Sequence, residues 1–199
     1  MIHPLPSFTP LFPSVKWWRL FLKCRLEGVS EEETIAAANR ESGLKRREWM
    51  RVALADGGRV SIPVKGGASS LKNRPAESWE LAAECRRETA RFASTLATLY
   101  GRQPFFHLLD RELTPRCEPG ERAEEVCRAA FRSIAGILQA DDEKLLAEIK
   151  KDMENPRGRS VAAGRELVGK TRAGLSVIDA AVRLGPDAIF TLLPPFLSL

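Results

Sequence analysis

Trp49-Met50-Arg51-Val52-Ala53-Leu54, then Ala55-Asp56-Gly57-Gly58, then Arg59-Val60-Ser61-Ile62-Pro63-Val64: the fold is decided by how these residues are read. Alternate residues share a face in a strand, so Met50, Val52 and Leu54 point one way and Trp49, Arg51 and Ala53 the other. Val60, Ile62 and Val64 form a matching apolar face. Asp56-Gly57-Gly58 supplies the positive-φ positions that a tight turn needs, which makes the stretch a β-hairpin over 49–64. Two strands alone are marginal, so helices from the rest of the chain must cover the apolar face. The expected class is therefore α+β: a small antiparallel sheet under several amphipathic helices, mainly helical from about residue 79 onward. Lys45, Arg46, Arg47 and Arg51 lead into the hairpin, and Lys65-Gly66-Gly67 leads out of it.

Working outward, the 199 residues fit a single domain with a real core. Hydrophobic residues make up 44% and charged residues 29%, which excludes a disordered chain. The net charge of +5 suits an anionic ligand, but the basic residues lack the dense clustering and reading helix of a nucleic-acid protein. Cys24, Cys85, Cys117 and Cys127 are too dispersed for a zinc site or a redox pair, so free thiols are expected, with Cys85 and Cys127 buried. No metal and no cofactor is expected. Neither a signal-peptide pattern nor a membrane-spanning run is present in the sequence, so a cytoplasmic protein is the expectation.

Prolines at 4, 6, 10 and 13 make the first residues extended or turning. Ser14 caps a helix over 15–26 that carries Trp17, Trp18, Phe21 and Leu22 beside Lys16, Arg19 and Lys23. Its apolar positions surround the helix, which favours a core helix over a membrane-surface one. Ser30 and Glu33 have capping-box spacing at the start of a helix that Gly43 stops. Residues 65–75 read as a glycine-rich loop, either phosphate-cradling or simply flexible. Apolar spacing predicts helices over 79–100, 105–113, 121–140, 141–153, 175–184 and 187–193. Residues 156–174 are basic, and the apolar tail 194–199 is expected to dock on the body or on a second subunit as a homodimer.

Gly164-Arg165-Glu166-Leu167-Val168-Gly169-Lys170-Thr171 fits the P-loop pattern letter for letter. Its context argues against a nucleotide hydrolase. A P-loop follows a buried parallel strand, whereas Arg157-Gly158-Arg159-Ser160 precedes this one. The residues after Thr171 read as short helices, and Asp179 is too near along the chain to be a distal magnesium ligand. An anion-binding loop is the milder reading.

A series of short stretches resembles the WbqC-like proteins, a bacterial family associated with O-antigen and other surface-polysaccharide biosynthesis. Pro13-Ser14-Val15-Lys16-Trp17-Trp18 is similar to the family's proline followed by paired aromatics. Arg46-Arg47-Glu48-Trp49-Met50-Arg51 sits where the family has a lysine–glutamine–serine or threonine–aromatic–arginine–asparagine–arginine run. Ala55-Asp56-Gly57 and Ser61-Ile62-Pro63-Val64 resemble its turn and following strand. Leu99-Tyr100-Gly101-Arg102-Gln103-Pro104-Phe105-Phe106 resembles its tyrosine–proline–phenylalanine signature. Leu175-Ser176-Val177-Ile178-Asp179 and Gly185-Pro186-Asp187-Ala188 resemble its C-terminal motifs. The chain departs from the family at Met50, which stands at or near the asparagine, and at Glu88, Arg91, Phe92 and Ala93, where the family has a Trp-Arg-x-x-His-Trp pattern.

The resemblance implies one WbqC-like domain over 1–199 and a transferase in surface-polysaccharide assembly, moving a glycyl, aminoacyl or acyl group. Such substrates are sugar nucleotides or other anionic small molecules, so Arg46, Arg47, Arg51 and Lys65 are the expected anion ligands. Tyr100 and Ser176, from the matched motifs, join them as substrate-binding residues. Asp179 is the candidate base and His107 a weaker one. The competing reading makes the arginines a solvated strand face and makes Ser176 with Asp179 a helix-start cap. A non-catalytic protein that holds an anionic glycan precursor, or a scaffold, is the alternative function, because no strong nucleophile–base pair or metal cluster stands out.

Overall fold

A computed structural model describes residues 4–54, 56–112, 117–140, 142–154 and 176–192. Helix α1 (Val15–Leu26) is at the centre of the packing. The Ser14 hydroxyl caps it by accepting from the Trp17 N–H at 3.3 Å. Trp17, Trp18, Phe21 and Leu22 are all buried, so α1 is a core helix. Its aromatic rings meet Phe131 of α6 (Ala123–Leu138): Trp18 stacks on Phe131 with centroids 5.2 Å apart, and Phe21 meets it edge-on at 5.3 Å. Helix α2 (Glu31–Glu41) packs along α1, with the Ser30 hydroxyl donating to Glu33 Oε2 at 2.8 Å and accepting the Glu33 N–H.

The hairpin forms from β1 (Arg51–Ala53) and β2 (Arg59–Ser61), paired antiparallel with Arg51 opposite Ser61 and Ala53 opposite Arg59. Asp56 Oδ1 accepts the Gly58 N–H at 2.8 Å, and Gly57 takes φ +88° in the turn. Val52 faces the core and Arg51 faces solvent, as the alternation requires. The paired core is shorter than the apolar runs, but Met50 and Leu54 on one side and Ile62 and Val64 on the other are buried beyond its ends. The α+β class holds.

Two segments differ from expectation. Helix α3 (Gly67–Asn73) stands where a loop is expected: Gly66, at φ +81°, turns the chain into it, and Leu71 anchors it to the core. Residues 79–84 do not begin the long helix. Trp79 and Leu81 are buried while Glu80 and Ala82 are half-buried, and the backbone of Leu81 is bonded to Glu121 and bridged to Val64. That is strand-like alternation, and helix α4 starts only at Cys85 (Cys85–Tyr100). Helices α5 (Phe106–Glu112), α7 (Glu143–Glu154), α8 (Ile178–Leu184) and α9 (Ala188–Leu192) follow the expected order.

The proline-rich first residues form a buried strap. Phe8, Thr9, Pro10, Leu11, Phe12 and Pro13 are all buried. Prolines cannot satisfy their own backbone through a ladder, so partners elsewhere do it. The Asn39 amide donates to the carbonyls of Pro6 and Phe8, both at 3.0 Å, and accepts the Trp17 indole N–H at 2.8 Å. Leu11 N–H bonds to Trp49 O at 2.8 Å, and the Thr9 hydroxyl donates to Cys127 O at 3.3 Å. The strap then carries Phe12 at φ +45°, a left-handed conformation that phenylalanine rarely adopts, with its ring edge-on to Phe92.

Candidate functional site

The strap and the hairpin enclose a groove of about 180 Å³. Its walls are residues 10–14 of the strap, Leu44, β1 with Arg51, Val52 and Ala53, and Glu48, Arg59 and Ser176. The C-terminal part of the chain reaches it because the Ser176 N–H bonds to Ala53 O at 2.9 Å and the Val177 N–H to Pro13 O at 3.2 Å. Ser176 also bridges Ser14, so strap, strand and the start of α8 are tied together at one end of the groove.

Arg51 and Arg59 give the groove its charge. Arg59 lies opposite Ala53, two positions from Arg51's partner Ser61, so the two guanidinium stems are diagonal neighbours on the solvent-facing side of the hairpin. Neither has a hydrogen bond or an ion pair among the described residues. The carboxylate that shares the groove, Glu48, accepts the backbone N–H of Lys45 at 2.9 Å. Two neighbouring cations without an ion-pair partner repel, and an anion between them removes that cost. Forked, planar donors suit phosphate or carboxylate oxygens.

The expected site residues part company here. Arg51 and Ser176 line the groove together. Arg46 does not line it; it is a structural tie. Its Nε donates to Leu71 O at 2.8 Å and Nη2 to Arg74 O at 2.6 Å, Nη1 donates to Pro4 O, and the guanidinium lies 4.9 Å over the Trp79 ring. Burial lowers its pKa from the usual guanidinium value, with Glu77 opposing. Lys65, also expected as an anion ligand, pairs with Glu80 at 2.6 Å and lies outside the groove. Arg47 is exposed and does not line it either. Tyr100 is buried at the end of α4.

Neither candidate base reaches the groove. Asp179 accepts from Arg183 Nε at 2.9 Å, one turn along α8. His107 is exposed on α5, its Nδ1 3.0 Å from Pro104 O. The Ser176 hydroxyl accepts the Ile178 N–H at 3.3 Å, a local turn bond just ahead of α8. Burial pushes the Cys117 thiol up to about 11 and raises Cys127 further, so these thiols are poor nucleophiles. All four cysteines are free. Among the described residues no group of three His, Cys, Asp or Glu side chains could hold a metal, and no helix is long and apolar enough to cross a membrane. The P-loop-like stretch, the basic segment 156–174 and the tail 194–199 lie outside the described residues.

Arg59 and Glu48 are the groove residues that the sequence reading passes over. The signal for Arg59 is the hairpin register itself, which sets Arg51, Arg59 and Ser61 on one face. Replacing Arg46 with alanine is expected to destabilise the protein by about 2 kcal/mol in urea unfolding, through three lost charge-assisted bonds discounted for partial exposure. The same variant should leave anion affinity at the groove unchanged. Comparisons with protein-family models, with curated proteins and with solved structures find no match to this chain.

Proposed function

We propose that the protein binds an anionic small molecule between the strap and the hairpin, acting as a holder of a phosphorylated or carboxylated precursor of the kind that surface-polysaccharide assembly uses. The observation that carries this reading is the pair Arg51 and Arg59, neighbours on one face and without an ion-pair partner among the described residues, in a groove with Ser176. The groove's size suits an anionic head group with the rest of the molecule in solvent. The polysaccharide setting comes from the family resemblance alone.

Group transfer, the activity that the resemblance implies, is the second reading. The Glu48 carboxylate favours it, being an acid–base group in the same groove as the arginines. The separation of Asp179 and His107 from that groove favours the binding reading over it.

The test is titration of the full chain with inorganic phosphate, glucose 1-phosphate and UDP-N-acetylglucosamine, followed by calorimetry. Saturable binding is expected, weakening as salt is added. The Arg51→Gln/Arg59→Gln double variant should bind about tenfold or more weakly, because each lost charge-assisted contact contributes about 1.5 kcal/mol or more. No saturation by any of the three ligands would remove the reading.

A further inference from the structure

The strap borders a second cavity. Residues 7–9 wall it as 10–14 wall the groove, and the first turn of α2 and one side of α6 complete it, enclosing about 330 Å³. Its apolar surface comes from Phe8, Ile35 and Phe131. Phe131 is held rigidly by its stacking on Trp18. Around that surface stand charges of both signs. Arg128 is paired with Glu124 and Glu125. Glu31, Glu32 and Arg132 also line the cavity, and none of these three side chains has a hydrogen bond or ion pair among the described residues.

We propose that this cavity binds a small zwitterion with an apolar body, an α-amino acid with an aliphatic side chain. The ammonium group lies against Glu31 and Glu32, the carboxylate against Arg132, and the side chain on Phe8, Ile35 and Phe131. An amine alone leaves Arg132 uncompensated, and a carboxylic acid alone leaves the glutamates uncompensated. Glycine leaves the apolar surface uncovered. The volume lies at the small end of the range for ligand cavities and accommodates an amino acid.

The experiment is a titration of the full chain, followed by NMR or calorimetry, with L-leucine, 4-methylpentanoate, 3-methylbutylamine and glycine. Leucine should saturate the site and bind about tenfold or more tightly than each of the other three. Arg132→Gln should erase the preference for leucine over 3-methylbutylamine. Glu31→Gln/Glu32→Gln should erase the preference over 4-methylpentanoate. All three residues are exposed, so unchanged circular dichroism melting is expected for Arg132→Gln and a small fall for the glutamate pair, which lies in the first turn of α2, and phosphate binding at the groove should be unaffected in both. No saturation by leucine at about 50 mM would overturn the proposal, since even millimolar affinity would be visible there. Equal binding of all four compounds by the unmodified protein would overturn it as well, whatever the variants do.

Discussion

Asn39→Ala should lose about 3–5 kcal/mol of stability and free the strap from the body of the protein. Asn39 is buried on α2, and its amide uses all its geometry: both N–H bonds donate, to Pro6 O and Phe8 O, and its oxygen accepts the Trp17 indole N–H. Alanine removes all three contacts at once. Pro6 O and the buried Trp17 N–H are then stripped of these partners, at about 1–3 kcal/mol each. Phe8 O keeps the Trp49 indole N–H at 3.3 Å and suffers less. Asn39→Leu should be nearly as costly, because filling the volume does not restore the bonds. Urea unfolding followed by tryptophan fluorescence gives the energy. Limited proteolysis between residues 4 and 14 reports the strap: rapid cleavage in the variant and resistance in the unmodified protein are expected.

The second large effect concerns packing. Trp18→Ala should cost about 3–5 kcal/mol, as deletion of a large buried aromatic side chain does. Trp18 is fully buried, stacks on Phe131, and meets Trp17 and Phe21 edge-on at 5.6 and 5.3 Å. Removing it opens a cavity between α1 and α6, two helices that must each bury an apolar face. For a chain of this size the loss corresponds to a fall in Tm of about 10 °C or more. Trp18→Phe should be far milder. The Trp18 indole N–H has no hydrogen-bond partner among the described residues, so phenylalanine strands no acceptor there and loses only part of the stacking area. A Trp18→Phe variant as damaged as Trp18→Ala would contradict a packing role. Melting curves of the two variants decide it.

Regular elements were legible where period and punctuation agree. Val15–Leu26 begins after Ser14, Glu31–Glu41 after Ser30, and the turn at Asp56, Gly57 and Gly58 lies between β1 and β2. The strap was legible only as proline-rich chain. Its burial depends on Asn39 and Trp49, residues far along the sequence, and no local pattern announces such partners. Residues 79–82 misled for a similar reason: their four-residue alternation is easily absorbed into the longer helical period that follows.

The site was half legible. Arg51 and Ser176 line one groove although the chain separates them widely, because Ser176 bonds to β1 through backbone atoms that carry no sequence signal. Arg46 is as basic as Arg51, and its cluster looks like a ligand-binding run. What distinguishes the two is the set of carbonyls presented to Arg46 by Pro4, Leu71 and Arg74, and the Trp79 ring beneath it. Those acceptors come from the strap, from α3 and from the residue that ends it, parts of the chain whose structure the sequence least reveals. Asp179 was ambiguous between base and helix-start residue, and its bond to Arg183 favours the local role.

In the proposed function Arg51 and Arg59 together grip an anion while Arg46 serves the fold. Phosphate titration of the protein labelled with nitrogen-15 at its arginines addresses it residue by residue. Saturable shifts of the Arg51 and Arg59 Nε–H resonances with one common dissociation constant are expected, with a stationary Arg46 signal. Shifts at Arg46 with Arg51 and Arg59 unmoved would contradict it.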